Sequence, residues 1–101
     1  MGMRRCFPVL IFAYCRPDAL NKLLEAIPMD QGRKVWISID GASQDKFKAR
    51  GKKVLEVAES FSSRYPGQVE ILVQNVNLGL QAHCVTAMQH FFKVNPAGIV
   101  F

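Results

Sequence analysis

Four short apolar runs alternate with three stretches of helical periodicity, and this alternation leaves few folds open. The first run, Phe7 to Tyr14, is continuously apolar and carries Val9, Ile11 and Phe12. A run apolar on both faces suits a central parallel strand. Pro8 stands at its start, where a missing amide does least harm. Lys34 to Asp40 alternates and then turns apolar through Val35, Trp36, Ile37 and Ile39; Val69 to Val73 and Gly98 to Phe101 complete the set. Between them, Leu20, Leu23, Leu24 and Ile27 recur at three and four residues and predict a helix. That helix opens at Arg16-Pro17-Asp18, with Pro and Asp both favourable in a first turn, and stops at Pro28. Met29 to Arg33 reads as a turn with Gly32. Val54, Val57, Ala58, Phe61 and Tyr65 predict a second helix over Lys52 to Tyr65, closed by Pro66-Gly67. Gly41 to Arg50 reads either as a polar loop or as the first part of that helix. A third helix is predicted over Leu80 to Phe92, with Ala82, Val85, Met88 or Gln89, and Phe92 along its apolar face, before Asn95-Pro96 breaks it.

The order β-α-β-α-β-α-β predicts a three-layer α/β fold, a mostly parallel open sheet with helices on both faces. Right-handed crossovers restrict the arrangement, and the expected strand order is 3-2-1-4, with the topological switch between strands one and four. At 101 residues the chain is expected to form a single domain.

Charge and cysteine usage narrow the setting. Five of the 13 basic residues fall in one stretch, Lys46, Lys48, Arg50, Lys52 and Lys53. This reads as a solvated loop leading into a polar helix face. Only Phe47 interleaves with these cations, so a base-stacking platform is not supported and nucleic acid is not the expected partner. Cys6, Cys15 and Cys84 are odd in number and show no C-x-x-C spacing, which fits a reduced, cytoplasmic setting. His83 and Cys84 are adjacent and so point in different directions on a helix; no metal site is expected there or at His90. Met1 to Arg5 followed by an apolar run mimics a signal peptide, but no small-residue cleavage site follows. The run is also short against the ~20 residues that a membrane span needs.

The common nucleotide and hydrolase motifs are missing. The loop after the first strand is Cys15-Arg16-Pro17-Asp18 rather than G-x-G-x-x-G; there is no P-loop, no G-x-S-x-G elbow and no redox dithiol. What remains is a polar cluster after each of three strands: Cys15 to Asp18, Asp40-Gly41-Ala42-Ser43, and Asn75-Val76-Asn77-Leu78-Gly79. In an open parallel sheet these meet on one rim, where ligands bind. Asp40 can accept hydrogen bonds from a base or from ribose hydroxyls, and Arg16 can neutralise a diphosphate. Asn77 offers a donor and an acceptor, and Gly79 permits close backbone approach or positive φ. The third helix would present its amide end to an anion. Taken singly, each also has a plain structural reading: Asp40-Gly41 and Asn77-x-Gly79 as turns, Arg16 as a partner of Asp18.

Three segments, Pro8-Val-Leu-Ile-Phe-Ala-Tyr-Cys-Arg-Pro-Asp18, Val35-Trp-Ile-Ser-Ile-Asp-Gly-Ala-Ser43 and Asn77-Leu-Gly-Leu-Gln81, together resemble the N-terminal half of a GT-A glycosyltransferase. The likeness is to the family 2 enzymes and the N-acetylglucosaminyltransferase I group, and it runs from Phe7 to Phe101. It implies a nucleotide-diphosphate sugar as donor, a uridine nucleotide in the latter group. By that likeness Asp40 would contact the base, Arg16 would approach the diphosphate, the backbone at Ala13 and Tyr14 would line the nucleoside pocket, and Asn77 and Gly79 would shape the cleft. In such enzymes a D-x-D-type motif after the fourth strand holds Mn²⁺ or Mg²⁺, and the acceptor-binding half comes later. The sequence reaches Phe101 before either, so the resemblance implies a metal for a longer parent, a cytosolic or membrane-surface enzyme, and none held by these residues. The 101 residues alone are expected not to transfer sugar, and to self-associate through an uncovered fourth strand. The alternative is a small, non-catalytic α/β nucleotide-binding or interaction module.

Overall fold

The computed structural model describes residues 7–29, 32–42 and 44–101. Cys6, the basic Met1 to Arg5 segment, the middle of the Met29 to Arg33 turn and Ser43 lie outside the described residues. The elements run β1 (Val9–Ala13), α1 (Pro17–Ala26), β2 (Val35–Ile39), a 3-10 turn (Asp45–Phe47), α2 (Lys48–Arg64), β3 (Val69–Val73), α3 (Leu80–Val94) and β4 (Ile99–Val100). The four strands form one sheet in the order β3-β2-β1-β4. All three pairings are parallel, with Val9 opposite both Val35 and Ile99, and Val35 opposite Val69. Fold class and strand order are those expected from the alternation of patterns.

The central strands are apolar on both sides because both sides are covered. Val9 and Ile11 of β1, with Val35, Ile37 and Ile39 of β2, pack against Leu20 and Leu24 of α1 and Val54, Ala58 and Phe61 of α2. Leu10 faces the other way, against Ala87 and Phe91 of α3, with Phe12, Trp36 and Met88 alongside. Helices α1 and α2 thus form one outer layer and α3 the other. One choice left by the periodicity is settled here. Of the polar stretch Gly41 to Arg50, Asp45–Phe47 is a 3-10 turn and Lys48 to Arg50 open α2, so its end belongs to the helix and its described start does not.

The face of α3 needs correction. Its buried residues are His83, Ala87 and Phe91. Of the expected stripe, Met88 packs against the core, while Ala82, Val85, Gln89 and Phe92 are exposed. The buried stripe begins on a histidine, which a hydrophobicity pattern scores as polar, and so it departs from the expected face. Gly98, just before β4, makes room for this packing: a Cβ there would lie 2.5 Å from the Phe91 ring. Trp36 meets the same ring edge-on at 5.7 Å. β4 pairs with β1 alone among the described strands, and Ile99, Val100 and Phe101 are exposed.

Candidate functional site

The rim at the C-terminal ends of the strands is organised around Asp40. This residue follows the last residue of β2 and is only 6% exposed. Its amide continues the parallel ladder by donating to the Ala13 carbonyl at 3.1 Å, which ties the end of β1 to it. Its carboxylate receives four hydrogen bonds. The amides of Gly41 and Leu78 donate to Oδ1, each at 2.9 Å. The amide of Gly79 donates to Oδ2 at 3.2 Å, and Asn77 Nδ2 to the same oxygen at 3.3 Å. Asn77 Nδ2 also donates to the Gly41 carbonyl at 2.8 Å. A carboxylate has about four acceptor positions, so Asp40 is saturated from within the chain.

This clamp explains two glycines. At Gly41 a Cβ would lie 2.5 Å from the carbonyl carbon of Val76 and 2.9 Å from the amide of Asn77. Any side chain would push the 75–79 segment off the sheet. Gly79 has φ +81°, in the left-handed region that favours glycine. There it turns its amide to Asp40 while its carbonyl accepts the amide of His83 at 2.9 Å, the first turn of α3. The clamp therefore fixes both the loop and the start of the helix.

The other two expected site residues lie toward the α1 side of the rim. Tyr14 is half-buried, with its ring tilted against Phe47 at 6.2 Å. Arg16 is the exposed residue just before α1. Together with Ala13 they line an apolar cleft of about 300 Å³ floored by Ile11 and by Leu20 and Leu23 of α1. A second cleft, about 330 Å³, opens between the ends of β2 and β3, where Lys48 and Lys52 of α2 face Asp40, Gly41 and Asn75. The six expected residues thus share one rim but form two groups. Asp40, Asn77 and Gly79, with the Ala13 carbonyl, are one hydrogen-bonded unit. Tyr14 and Arg16 border the neighbouring cleft.

Sequence reasoning missed one polar pair. His83 Nε2 lies 2.8 Å from Ser38 Oγ, with both residues buried between α3 and the sheet. The His83 ring also meets Phe12 edge-on at 5.6 Å. Burial pushes its pKa below the ordinary histidine value, and the negative charge of Asp40 opposes part of that shift. The available signal was Ser38 at an α3-facing position in an otherwise apolar strand, together with His83 spaced four and eight residues before Ala87 and Phe91. Among the described residues no group of three or more His, Cys, Asp or Glu side chains converges to hold a metal ion. None of the described residues thus forms the metal site that the resemblance implies for a longer parent. Among the described residues no helix is long and apolar enough to cross a membrane.

Comparison with protein-family models, with curated proteins and with solved structures finds no match.

Proposed function

We propose that this chain is the donor-nucleotide-binding half of a GT-A-type glycosyltransferase, taking a nucleotide-diphosphate sugar at the rim of the sheet. The observation that carries the reading is the Asp40 clamp. It draws the ends of β1 and β2, the 77–79 turn and the first turn of α3 together at one rim. Ligands of open α/β sheets bind outside the carboxyl ends of the strands at the topological switch. The cleft beside Ala13 and Tyr14 is of nucleoside size and apolar, and Arg16 at its edge supplies the counter-charge for a diphosphate. With its acceptor positions filled, Asp40 serves this site by positioning the 77–79 backbone rather than by offering a free carboxylate.

That saturation also favours the interaction form of the alternative, a non-catalytic α/β module that takes no nucleotide and in which the clamp is purely architectural. Titration with uridine diphosphate, followed by amide resonances, separates the two. Shifts confined to Ala13, Tyr14, Arg16 and the 77–79 turn are expected for the first. Shifts absent at millimolar nucleotide, or spread over surface lysines, would leave only the second. Sugar transfer by the chain alone with a nucleotide sugar and Mn²⁺ is not expected, and turnover would overturn that part. Self-association belongs to the same reading, supported by the exposed Ile99, Val100 and Phe101. A monomer in sedimentation across the micromolar range would remove it.

A further inference from the structure

Part of the positive charge of this chain lies where it opposes the dipole of its own helix. Helix α2 opens with Lys48 and Arg50, continues with Lys52 and Lys53, and has no acidic residue in its first turn. The amide end of a helix carries partial positive charge, so acids belong there and cations cost stability. One exposed pair, Lys48 Nζ to Asp45 Oδ1 at 3.0 Å, offsets part of that cost, and exposed pairs contribute little. Among the described residues Arg16, Arg50 and Lys53 make no ion pair. Yet these three, from two different elements, border a single open cleft of about 460 Å³ over the first turn of α1, with Asp18 as the one carboxylate in its lining. Three cations held around one space without partners repel one another. Departures from local preference that bring the fold no return fall at functional positions.

We propose that the cleft between the first turns of α1 and α2 binds a phosphate-bearing anion, held by Arg16, Arg50 and Lys53. Two guanidinium groups match the planar, multidentate acceptor geometry of a phosphate, and the lysine adds a mobile point charge. The amide end of α1 faces the same space. No aromatic side chain lines the cleft, which favours a compact charged group over a stacked base. The site borders the apolar cleft at the end of β1 through Arg16, but it stands on charge and shape and does not depend on the nucleotide-sugar reading. Its phosphate can come from the diphosphate of a nucleotide lying across Arg16, or from a separate molecule.

The test is calorimetric titration of the full chain with sodium pyrophosphate, at low and at physiological ionic strength. The variant Arg50→Gln/Lys53→Gln is compared with Lys22→Gln/Lys93→Gln, which removes the same charge elsewhere. The first is expected to weaken pyrophosphate about tenfold or more, and the second less than about twofold. The ligand-free melting temperature of Arg50→Gln/Lys53→Gln is expected to hold or rise, because like charges leave the positive end of α2. Equal weakening by both variants would reduce the effect to net charge and overturn the proposal. So would a lowered melting temperature, which would show these cations serving the fold, or a wild-type chain that takes up no pyrophosphate. Uridine diphosphate then assigns the source: displacement of pyrophosphate places the nucleotide's own phosphates in the cleft, whereas simultaneous binding means a separate phosphate. Nucleotide binding that ignores Arg50→Gln/Lys53→Gln, with no pyrophosphate bound, would sink this site and leave the nucleotide reading intact. Pyrophosphate binding at the cleft, with no uridine diphosphate response at Ala13 or the 77–79 turn, would do the reverse.

Discussion

Replacing Gly41 with alanine tests the clamp at its tightest point. The added methyl would sit 2.5 Å from the Val76 carbonyl carbon, 2.6 Å from its oxygen and 2.9 Å from the Asn77 amide. Unstrained carbon contacts lie at about 3.5–4.0 Å, so the two segments must separate by about 1 Å. All three neighbours are backbone atoms, and no rotamer change can relieve the clash. Overpacking of this kind costs about 1–3 kcal/mol. The displaced segment also carries Asn77, Leu78 and Gly79, whose hydrogen bonds to the Asp40 carboxylate are each worth about 1.5–3 kcal/mol when intact. These terms overlap, and a total near 3 kcal/mol is the reasoned value. For a domain of this size that lowers the melting temperature by roughly 12–24 °C. Gly51→Ala is the matched control, because a Cβ there meets nothing within 4 Å and the residue lies inside α2. It should stabilise by about 0.5–1 kcal/mol. Circular-dichroism melts of both variants, with the amide shifts of Leu78 and Gly79, decide the matter. A Gly41→Ala protein melting within a few degrees of the parent, with those two amides unmoved, would refute the reasoning.

Three further outcomes are expected. Asp40→Asn keeps the shape but turns an amide nitrogen toward backbone donors, and should cost about 2–4 kcal/mol in urea denaturation; a loss under about 1 kcal/mol would show that the charge is dispensable. His83 is held below its ordinary pKa of about 6.5, so the unfolded chain binds more protons than the folded one beneath that value. Its contribution is therefore complete above pH ~6.5 and is lost as pH falls through the lowered folded value. His83→Gln should flatten the stability–pH curve in that window, and an unchanged slope there would contradict the assignment. Phe91→Ala should cost about 3–5 kcal/mol in the same assay, since the ring is fully buried against Leu10, Trp36 and Gly98.

The alternation of apolar runs with helical periods made the sheet and its strand order legible, because buried parallel strands must be apolar on both faces and the crossovers have one hand. The rim was legible for the same reason: Asp40, Asn77 and Gly79 each follow a strand, and strands of one direction end together. What could not be read was where the Asp40 carboxylate points. Two of its four donors are backbone amides 38 and 39 residues away, and backbone donors leave no mark in a sequence. The face of α3 failed for a related reason. Ser38 and His83 satisfy each other, so a polar pair occupies positions that hydrophobic pattern assigns to solvent. The basic stretch reads as a solvated face in the sequence because charge alone carries no direction. Only the meeting of Arg50 and Lys53 with Arg16 across α1 and α2 gives it one.

The Asp40 clamp also bears on the order in which the molecule comes together. Its bonds close loops of 36 to 39 residues, and contacts of such long sequence separation are costly to reach before the intervening chain is in place. The pairing of β1 with β2 closes a shorter loop, so it is expected to form before the rim closes. Asn77→Ala should then speed unfolding and leave the folding rate almost unchanged; slowed folding would place the clamp in the nucleus. A chain that folds in this order closes its rim late, and the same rim is expected to open early on the way back.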